Sequence, residues 1–281
     1  MSEASPQRLL SKCLLDGEAY EVTTMSLRKY LRKLTHVTLA DIWDVAFKPA
    51  ILYRKLTAPP IISGADALPL LFPQTATELI QTYRQEFIND HKFFDEFYRK
   101  TTKVRSRRPD LSGKEFLYVL IRIAKPRIVV ETGVFDGHSS AVILQALNDN
   151  KSGSLISIDL PATATIIGST DGMKETKLPP DCIPGWSIPD YLRDRHNLIL
   201  GDSKEILPEL VAQYSPIDIF IHDSLHTYEH MYFEYKTAWP NLSDGGFLLS
   251  DDIHWNHAFH EFCRGQRRSY LNLGELGVVM K

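Results

Sequence analysis

The sequence of 281 residues predicts a doubly wound α/β domain, and three observations lead to this prediction. From residue 112 onward, short apolar runs alternate with segments that have the apolar spacing of helices. The runs are apolar on both faces, as in a parallel sheet that helices cover on each side. The composition, with 43% apolar and 24% charged residues, is that of an ordinary globular protein.

The first part of the chain is less regular than the rest. SLRKYLRKLT predicts a short basic amphipathic helix, because its leucines and tyrosine share one face opposite the basic side chains. APPIISGADALPLLFP (58–73) predicts a linker or lid, since prolines and a glycine interrupt it. A helix is predicted from about Ala76 to Lys100. We therefore divide the chain into an N-terminal helical extension or lid, residues 1–111, and a second domain, residues 112–281.

The second domain is predicted to alternate strands and helices to its end. LSGKEFLYVLIRIAK has helical spacing, and Pro126 stops that helix. The predicted strands are RIVVETG, SLISIDL, a third ending in LILGDS, IDIFIHD and GGFLLSDD. The last segment, SYLNLGELGVVMK, holds two apolar pieces around Gly274. A direct hairpin needs an antiparallel partner, so a final antiparallel strand is predicted.

A glycine-containing turn, VVETGVFDGHSS (129–140), joins the first predicted strand to its helix. Glycines such as Gly133 and Gly137 at this position let backbone approach a ligand, and the helix N–H groups that follow, near Ser139, can bind it. The letters match neither the GxGxxG dinucleotide fingerprint nor the GxxxxGK[ST] phosphate loop. What distinguishes the loop is Glu131, an acid just before its first glycine.

Acids follow the successive strands of the predicted sheet. Asp159 ends the second strand, and Asp202 with Ser203 follows the third. Ligands of open α/β sheets bind at the carboxyl ends of the strands, and an acid after the second strand can accept ribose hydroxyls. The series that begins at Glu131 therefore predicts a nucleoside pocket.

These residues resemble those of class I S-adenosylmethionine-dependent methyltransferases, over roughly residues 112–281. The resemblance implies S-adenosylmethionine as cofactor, with Glu131 and the loop through Val134 to Gly137 at its methionine part. It places Asp159 at the ribose and Asp202 with Ser203 on the adenine side. GWSIPDYLRDRHNLILGDS and the stretch from IDIFIHD to GGFLLSDD resemble a bacterial small-molecule branch, the macrolide-sugar (macrocin-type) O-methyltransferases. The implied reaction is O-methylation of a sugar or natural-product hydroxyl.

A divalent metal site is predicted where the fourth and fifth strands end. The two strands are neighbours in the methyltransferase order, so Asp223, which is also assigned to cofactor binding, can face Asp251 and Asp252. Carboxylates in such a position repel each other unless a cation joins them, and oxygen ligands favour Mg²⁺. His226 would lie beside the metal and take the proton of the acceptor hydroxyl, with His254 as the alternative base.

One further pattern is disfavoured, and three other interpretations are kept. The letters HTYEH (226–230) match the HxxEH pattern of zinc proteases, but that pattern needs an uninterrupted helix and IDIFIHD is a strand. Asp223 with nearby histidines could form a non-haem iron site. The chain could also bind S-adenosylmethionine as a non-catalytic scaffold, and His226 could have a structural role alone.

The remaining predictions concern partners and location. A formal charge of −3 gives no field for nucleic acid. Three separated cysteines, no signal peptide and no run long enough to span a bilayer predict a cytoplasmic protein. The partner is predicted to be a small-molecule hydroxyl acceptor, with residues 160–195 and 58–73 as walls of its pocket. Whether the chain forms a homo-oligomer is left open.

Overall fold

The computed structural model describes residues 57–105, 108–109, 111–161 and 178–281, except the side chain of Ser112. The predicted basic helix SLRKYLRKLT and residues 162–177 of the predicted pocket wall lie outside the described residues. Residues 59–281 form one compact unit. The division of the chain between residues 111 and 112 stays a prediction.

The described residues contain a seven-stranded sheet at the centre of this unit. Its strands are β1 (Ile128–Thr132), β2 (Ser154–Asp159), β3 (His196–Leu200), β4 (Ile217–His222), β5 (Leu242–Ser250), β6 (Leu271–Asn272) and β7 (Gly277–Met280). They follow the order β3-β2-β1-β4-β5-β7-β6, in which β1 to β5 pair in parallel and β7 runs antiparallel to β5 and β6. The predicted fold is confirmed, and the chain changes direction across the sheet between β1 and β4.

Helices cover both faces of the sheet. The described helices are α1 (Gly64–Leu71), α2 (Thr77–Ile88), α3 (His91–Val104), α4 (Glu115–Ala124), α5 (His138–Asp149), α6 (Ser203–Tyr214), α7 (Tyr228–Ala238) and α8 (Ala258–Gly265). Side chains of α1 to α5 join one hydrophobic core, and those of α6 to α8 join the other. Val129 lies in the first core and its neighbour Val130 in the second, both fully buried. This is the two-sided burial that the apolar runs predict.

The N-terminal helices differ in detail from the sequence prediction. The single helix predicted from Ala76 to Lys100 is two helices, α2 and α3. They part because the Asp90 carboxylate accepts a hydrogen bond from Phe93 N at 2.9 Å and so begins a new helix. The predicted linker 58–73 contains α1, which the Ser63 side chain caps. None of the described helices combines the length and apolar character needed to cross a membrane.

Candidate functional site

Parallel pairing brings the carboxyl ends of the central strands to one edge of the sheet. The ladder continues just past the strands, where Asp223 N donates to Thr132 O at 2.8 Å and Asp251 N donates to His222 O at 2.9 Å. The residues that follow β1, β4 and β5 therefore lie side by side. This edge holds most of the site residues that the sequence predicts.

The glycines of the turn after β1 are required by contacts within the protein. Gly133 has φ +84°, and a Cβ there would lie 1.9 Å from the backbone oxygen of Asp223. Gly137 has φ +91°, and its Cβ would lie 2.7 Å from Gly185 Cα. The close approach that the glycines allow is thus to neighbouring backbone. This overturns the expectation that the glycines make room for a ligand. A bulky residue at Gly133 would disturb the junction of β1 and β4.

The Asp159 carboxylate holds the same turn in place. Its Oδ2 accepts hydrogen bonds from Val134 N at 3.0 Å and Phe135 N at 2.7 Å, and its Oδ1 accepts from Leu160 N at 2.7 Å. Burial raises the pKa of Asp159, and these bonds oppose that rise. Asp159 therefore orders the loop whether or not it also binds a ribose, which stays a prediction.

Glu131 lies beneath the turn and is 1% exposed. Its Oε1 accepts hydrogen bonds from Ser140 Oγ at 2.5 Å and Ser157 Oγ at 2.6 Å. Burial raises the pKa of Glu131 to about 7, although the two serine bonds act against the rise. No described residue donates a hydrogen bond to the other oxygen, Oε2, so one oxygen of this carboxylate is available to a cationic group.

The N-terminus of α5 opens onto the same edge. Gly137 occupies the N-cap position and provides no side-chain cap, and the first turn carries no acidic residue. The first N–H groups of a helix have no partner within the helix and are well placed for a ligand anion. Ser139, half-buried in this first turn, keeps its predicted place near the loop.

Asp202 and Ser203 have different surroundings although they are adjacent. Asp202 is exposed and caps α6, its Oδ1 accepting from Lys204 N at 2.8 Å. The Ser203 side chain is buried and its Oγ donates to Glu234 Oε1 at 2.5 Å. Their predicted role on the adenine side of a cofactor stays a prediction, and Ser203 has an evident partner inside the protein.

Glu234 is the centre of a buried polar group that the sequence analysis did not find. The carboxylate is fully buried. Although burial acts to raise it, the bonds from His222 and His230 hold the pKa of Glu234 below its usual range. We call Glu234 and its five donors the interior cluster; the donors are Thr132 Oγ1 (2.5 Å), Ser203 Oγ (2.5 Å), His222 Nδ1 (2.6 Å), His230 Nε2 (2.8 Å) and Ser224 Oγ (2.9 Å).

A second group of acids and histidines lies at the strand ends. We call it the strand-end cluster, and its members are Asp223, His226, Asp251, Asp252 and His254. The imidazole of His226 lies between two acids, with Nε2 3.9 Å from Asp223 Oδ1 and Nδ1 3.9 Å from Asp252 Oδ2. These separations exceed a hydrogen bond, and neither ring nitrogen of His226 has a partner among the described residues.

His226 is therefore a buried, neutral imidazole. Its exposure is 7%, and its ring packs against Trp255 with the ring centroids 5.4 Å apart. Burial, aided by the neighbouring His222, lowers the pKa of His226 to about 4. Near pH 7 one ring nitrogen then carries a free lone pair, which is what a general base requires.

The three acids meet as predicted, but they do not form a complete metal site. Burial and the adjacent Asp251 raise the pKa of Asp223 well above its usual value, although 34% of its side chain is exposed. Asp252 has φ +51°, and His254, half exposed, places Nδ1 3.9 Å from Asp252 Oδ1. Among the described residues, no three His, Cys, Asp or Glu side chains are arranged to hold a metal ion.

The HxxEH letters do not form a zinc-protease helix. α7 begins at Tyr228, after His226, so the first histidine is not part of the helix. Glu229 is exposed, and His230 Nε2 is bonded to Glu234. A non-haem iron site would need three such ligands, and the described side chains contain no arrangement of three that could hold the metal.

Part of this chain is similar to known methyltransferases. Residues 130–253 match the family model described as a methyltransferase domain. Demethylmacrocin O-methyltransferase of Streptomyces fradiae is 30% identical over 87 residues, which are 30% of this chain and 22% of the relative. The match thus spans about a fifth of that relative. The methyltransferase part of the resemblance is supported over residues 130–253.

Solved structures give distant similarities. An O-methyltransferase from Bacillus cereus, in complex with SAH, is 13% identical with a TM-score of 0.47, covering 73% of this chain and 97% of its own. TomG from Streptomyces achromogenes is 12% identical with a TM-score of 0.48, covering 72% and 95%. At these scores they carry no argument, and the fold rests on the strand order described above.

Proposed function

We propose that this chain, whose residues 130–253 form a methyltransferase domain, is an S-adenosylmethionine-dependent O-methyltransferase that acts on a small molecule. The observation that carries the proposal is the buried imidazole of His226, which has two unpartnered nitrogens at the edge of the sheet where such domains bind their substrates. A histidine kept for structure alone would normally have its buried nitrogens hydrogen-bonded.

The described residues fit the methionine end of the cofactor. A methionine moiety carries an ammonium and a carboxylate. Glu131 Oε2 is free to accept from the ammonium, and the uncapped first turn of α5 offers N–H groups to the carboxylate. When bound, S-adenosylmethionine supplies a methyl group on a sulfonium for in-line transfer to oxygen.

His226 removes the proton of the acceptor hydroxyl. The proton passes to a ring nitrogen of His226, and the oxygen forms its bond to the methyl carbon as the bond from sulfur to that carbon breaks. Asp223 and Asp252, each 3.9 Å from the ring, stabilise the imidazolium that results. His254, half exposed beside Asp252, is the alternative base.

Metal assistance remains part of the proposal. Asp223, Asp251 and Asp252 are the residues that would hold Mg²⁺, because like-charged carboxylates brought together at a half-buried position favour a cation. A metal at this place would stabilise negative charge on the acceptor oxygen. A small movement of these side chains is needed to make a ligand set.

The acceptor is proposed to be a hydroxyl of a sugar or similar natural product. The support is the name of the Streptomyces relative, a demethylmacrocin O-methyltransferase, and the match covers only part of that protein. Residues 178–189, which pack on the glycine turn, lie where a pocket wall is expected. A cytoplasmic location completes the proposal.

Calorimetry and turnover test the two halves of this proposal. The parent protein should bind S-adenosylhomocysteine, and Glu131→Gln should bind it more weakly because the ammonium loses a charged acceptor. Methyl transfer from labelled S-adenosylmethionine to a panel of hydroxylated natural products should depend on His226. Tight binding with no transfer to any acceptor would favour the scaffold, and absence of binding would contradict the proposal.

A further inference from the structure

The turn between β1 and α5 contains a strained residue that is not glycine. Phe135 has φ +50°, in the left-handed region that bulky side chains rarely adopt. Such a conformation costs free energy and persists only where the surroundings hold it, which is common at ligand-binding sites. The contacts that hold Phe135 therefore help to set the shape of the proposed cofactor loop.

The carboxylate of the next residue, Asp136, is 3% exposed and is held by side chains from two other segments. Arg105, just after α3, binds it in a bidentate manner, with Nε 2.5 Å from Oδ2 and Nη2 2.9 Å from Oδ1. Trp186 Nε1 donates to Oδ1 at 2.8 Å. α3 precedes the matched residues 130–253, and residues 178–189 lie within them, in the connection between β2 and β3.

Backbone bonds place the same segments against Phe135. Gly185 N donates to Phe135 O at 2.8 Å, and Ser187 N donates to Asp136 O at 3.1 Å. The Arg105 guanidinium also lies 5.3 Å from the centre of the Phe135 ring. The strained residue is thus fixed on its carbonyl side and over its ring by groups that converge on Asp136.

Simple attachment of α3 to residues 178–189 does not require this arrangement. Lys100 already joins them, donating from Nζ to Ile188 O at 2.8 Å and to Asp190 Oδ1 at 2.6 Å. That ion pair does not involve the turn. The contacts of Asp136 differ because Asp136 directly follows Phe135, so they act on the turn itself.

We infer that Asp136 is a positioning residue, which through Arg105 and Trp186 keeps the turn at Phe135 in the conformation that binds S-adenosylmethionine. The inference rests on the proposed function. When the binding-competent form of a loop is less populated, the apparent affinity falls by the same factor. Asp136 therefore sets cofactor affinity without touching the cofactor.

The test compares cofactor binding and turnover in matched variants of the full chain. Asp136→Asn keeps the size of the side chain but breaks the bidentate pair with Arg105. We expect its affinity for S-adenosylhomocysteine to fall about tenfold, which corresponds to about 1.4 kcal/mol. KM for S-adenosylmethionine should rise by a similar factor, while kcat at saturating cofactor stays within about twofold.

Trp186→Phe is a second test variant, which keeps the inference testable if Asp136→Asn does not fold. It removes the single hydrogen bond from Trp186 Nε1 to Asp136. We expect about a threefold loss of affinity, roughly the net contribution of one hydrogen bond. Asp190→Asn is the control, because it weakens the Lys100 tether and the 3.4 Å pair with Arg193, while Asp190 itself has no bond to the turn. Equal affinity in the parent and both test variants would overturn this inference and leave the proposed function intact. So would an equal loss in Asp190→Asn. A parent that binds no S-adenosylhomocysteine would overturn both proposals.

Discussion

Two clusters of histidines and acids lie on either side of the end of β4, and they differ in how well their polar atoms are paired. In the interior cluster, Glu234 accepts from five donors within 2.9 Å, and His222 Nε2 is the one buried side-chain atom of these six residues without a partner among the described residues. In the strand-end cluster, both nitrogens of His226 lack a partner, and its acids stand 3.9 Å away. The two clusters interleave along the chain, since His222 and Ser224 belong to the first and Asp223 and His226 to the second.

This difference distinguishes groups that hold the fold from groups that are ready to react. A buried carboxylate whose two oxygens are both well paired, such as Glu234, makes a structure rigid and specific. Buried polar atoms left unpaired cost free energy, so they are retained where a ligand or a proton will meet them. The interior cluster fixes Ser224 and the start of α7, and so supports the loop that carries Asp223 and His226.

The largest expected effect is a loss of turnover when His226 of the strand-end cluster is replaced. His226→Ala should lower kcat by about 10²–10⁴-fold, because the variant has no imidazole to take the acceptor proton. The affinity for S-adenosylhomocysteine should change little. Steady-state kinetics and calorimetry measure the two quantities. His254→Ala is the matched control, and a larger loss in that variant would make His254 the base.

A metal requirement is checked on the same assay. If Asp223, Asp251 and Asp252 hold Mg²⁺, activity should be lost in EDTA and return when Mg²⁺ is added. Activity that survives exhaustive chelation contradicts the metal part of the proposal and leaves His226 as a metal-free base.

The interior cluster should respond in stability. Glu234→Gln replaces the common acceptor of five donors, and the folded state should lose about 3 kcal/mol, the scale for breaking a buried charged network. Urea unfolding measures this loss. Glu229→Gln, an exposed change on the same helix, should leave the unfolding free energy unaltered. Equal stability in the two variants would remove the structural role that we assign to the cluster.

Glu131 lies between the two clusters in its pairing, because its Oε1 accepts two hydrogen bonds and its Oε2 accepts none from the described residues. The pH dependence of stability distinguishes Glu131 from Glu234. Its pKa in the folded protein is raised from 4.5 to about 7, so it contributes stability below pH 4.5 that is lost as pH rises through 7. The pKa of Glu234 is lowered, so its contribution is present above pH 4.5 and is lost as pH falls below that value. The two imidazole donors of Glu234 are enough to lower its pKa despite burial. The two serine hydroxyls that bond Glu131 do not outweigh burial, so the pKa of Glu131 is raised.

Unfolding measured at pH 5 and pH 8 tests this contrast. The parent should lose stability relative to Glu131→Gln as pH rises over this range. A difference between the two proteins that does not depend on pH would mean that Glu131 ionises normally. Below pH 4.5, the parent should lose its advantage over Glu234→Gln.

The sequence predicts one of these clusters and misses the other for a physical reason. Asp223, Asp251 and Asp252 follow apolar strands, and parallel pairing carries strand ends to one edge, so position along the chain indicates position in space. The interior cluster draws Thr132, Ser203 and Glu234 from a strand and two helices. A hydrogen-bond network of this kind depends on side-chain directions, which apolar spacing does not encode. The spacing of His230 and Glu234, one helical turn apart, was the available signal.

The glycine turn shows a second limit of the sequence. Two glycines after a strand indicate close approach, but they do not say to what. At Gly133 the neighbour is the backbone of Asp223, which comes from a distant part of the chain. The split of the predicted Ala76–Lys100 helix has a local cause, the cap at Asp90, and could have been predicted from Asn89 and Asp90.

The smallest expected effect concerns Asp202, whose neighbour Ser203 belongs to the interior cluster. Asp202→Ala removes the α6 cap and should cost about 1 kcal/mol, whereas Asp202→Asn keeps a capping oxygen and should cost only a few tenths. Urea unfolding of the two variants measures this difference. Because the Asp202 carboxylate already accepts from Lys204 N, a cap alone predicts that both variants bind S-adenosylhomocysteine as the parent does. A clear loss of affinity in Asp202→Ala, with unfolding shifted no more than a cap allows, would instead support the predicted contact on the adenine side. In that case the proposed cofactor site would extend from the strand-end cluster to the end of β3.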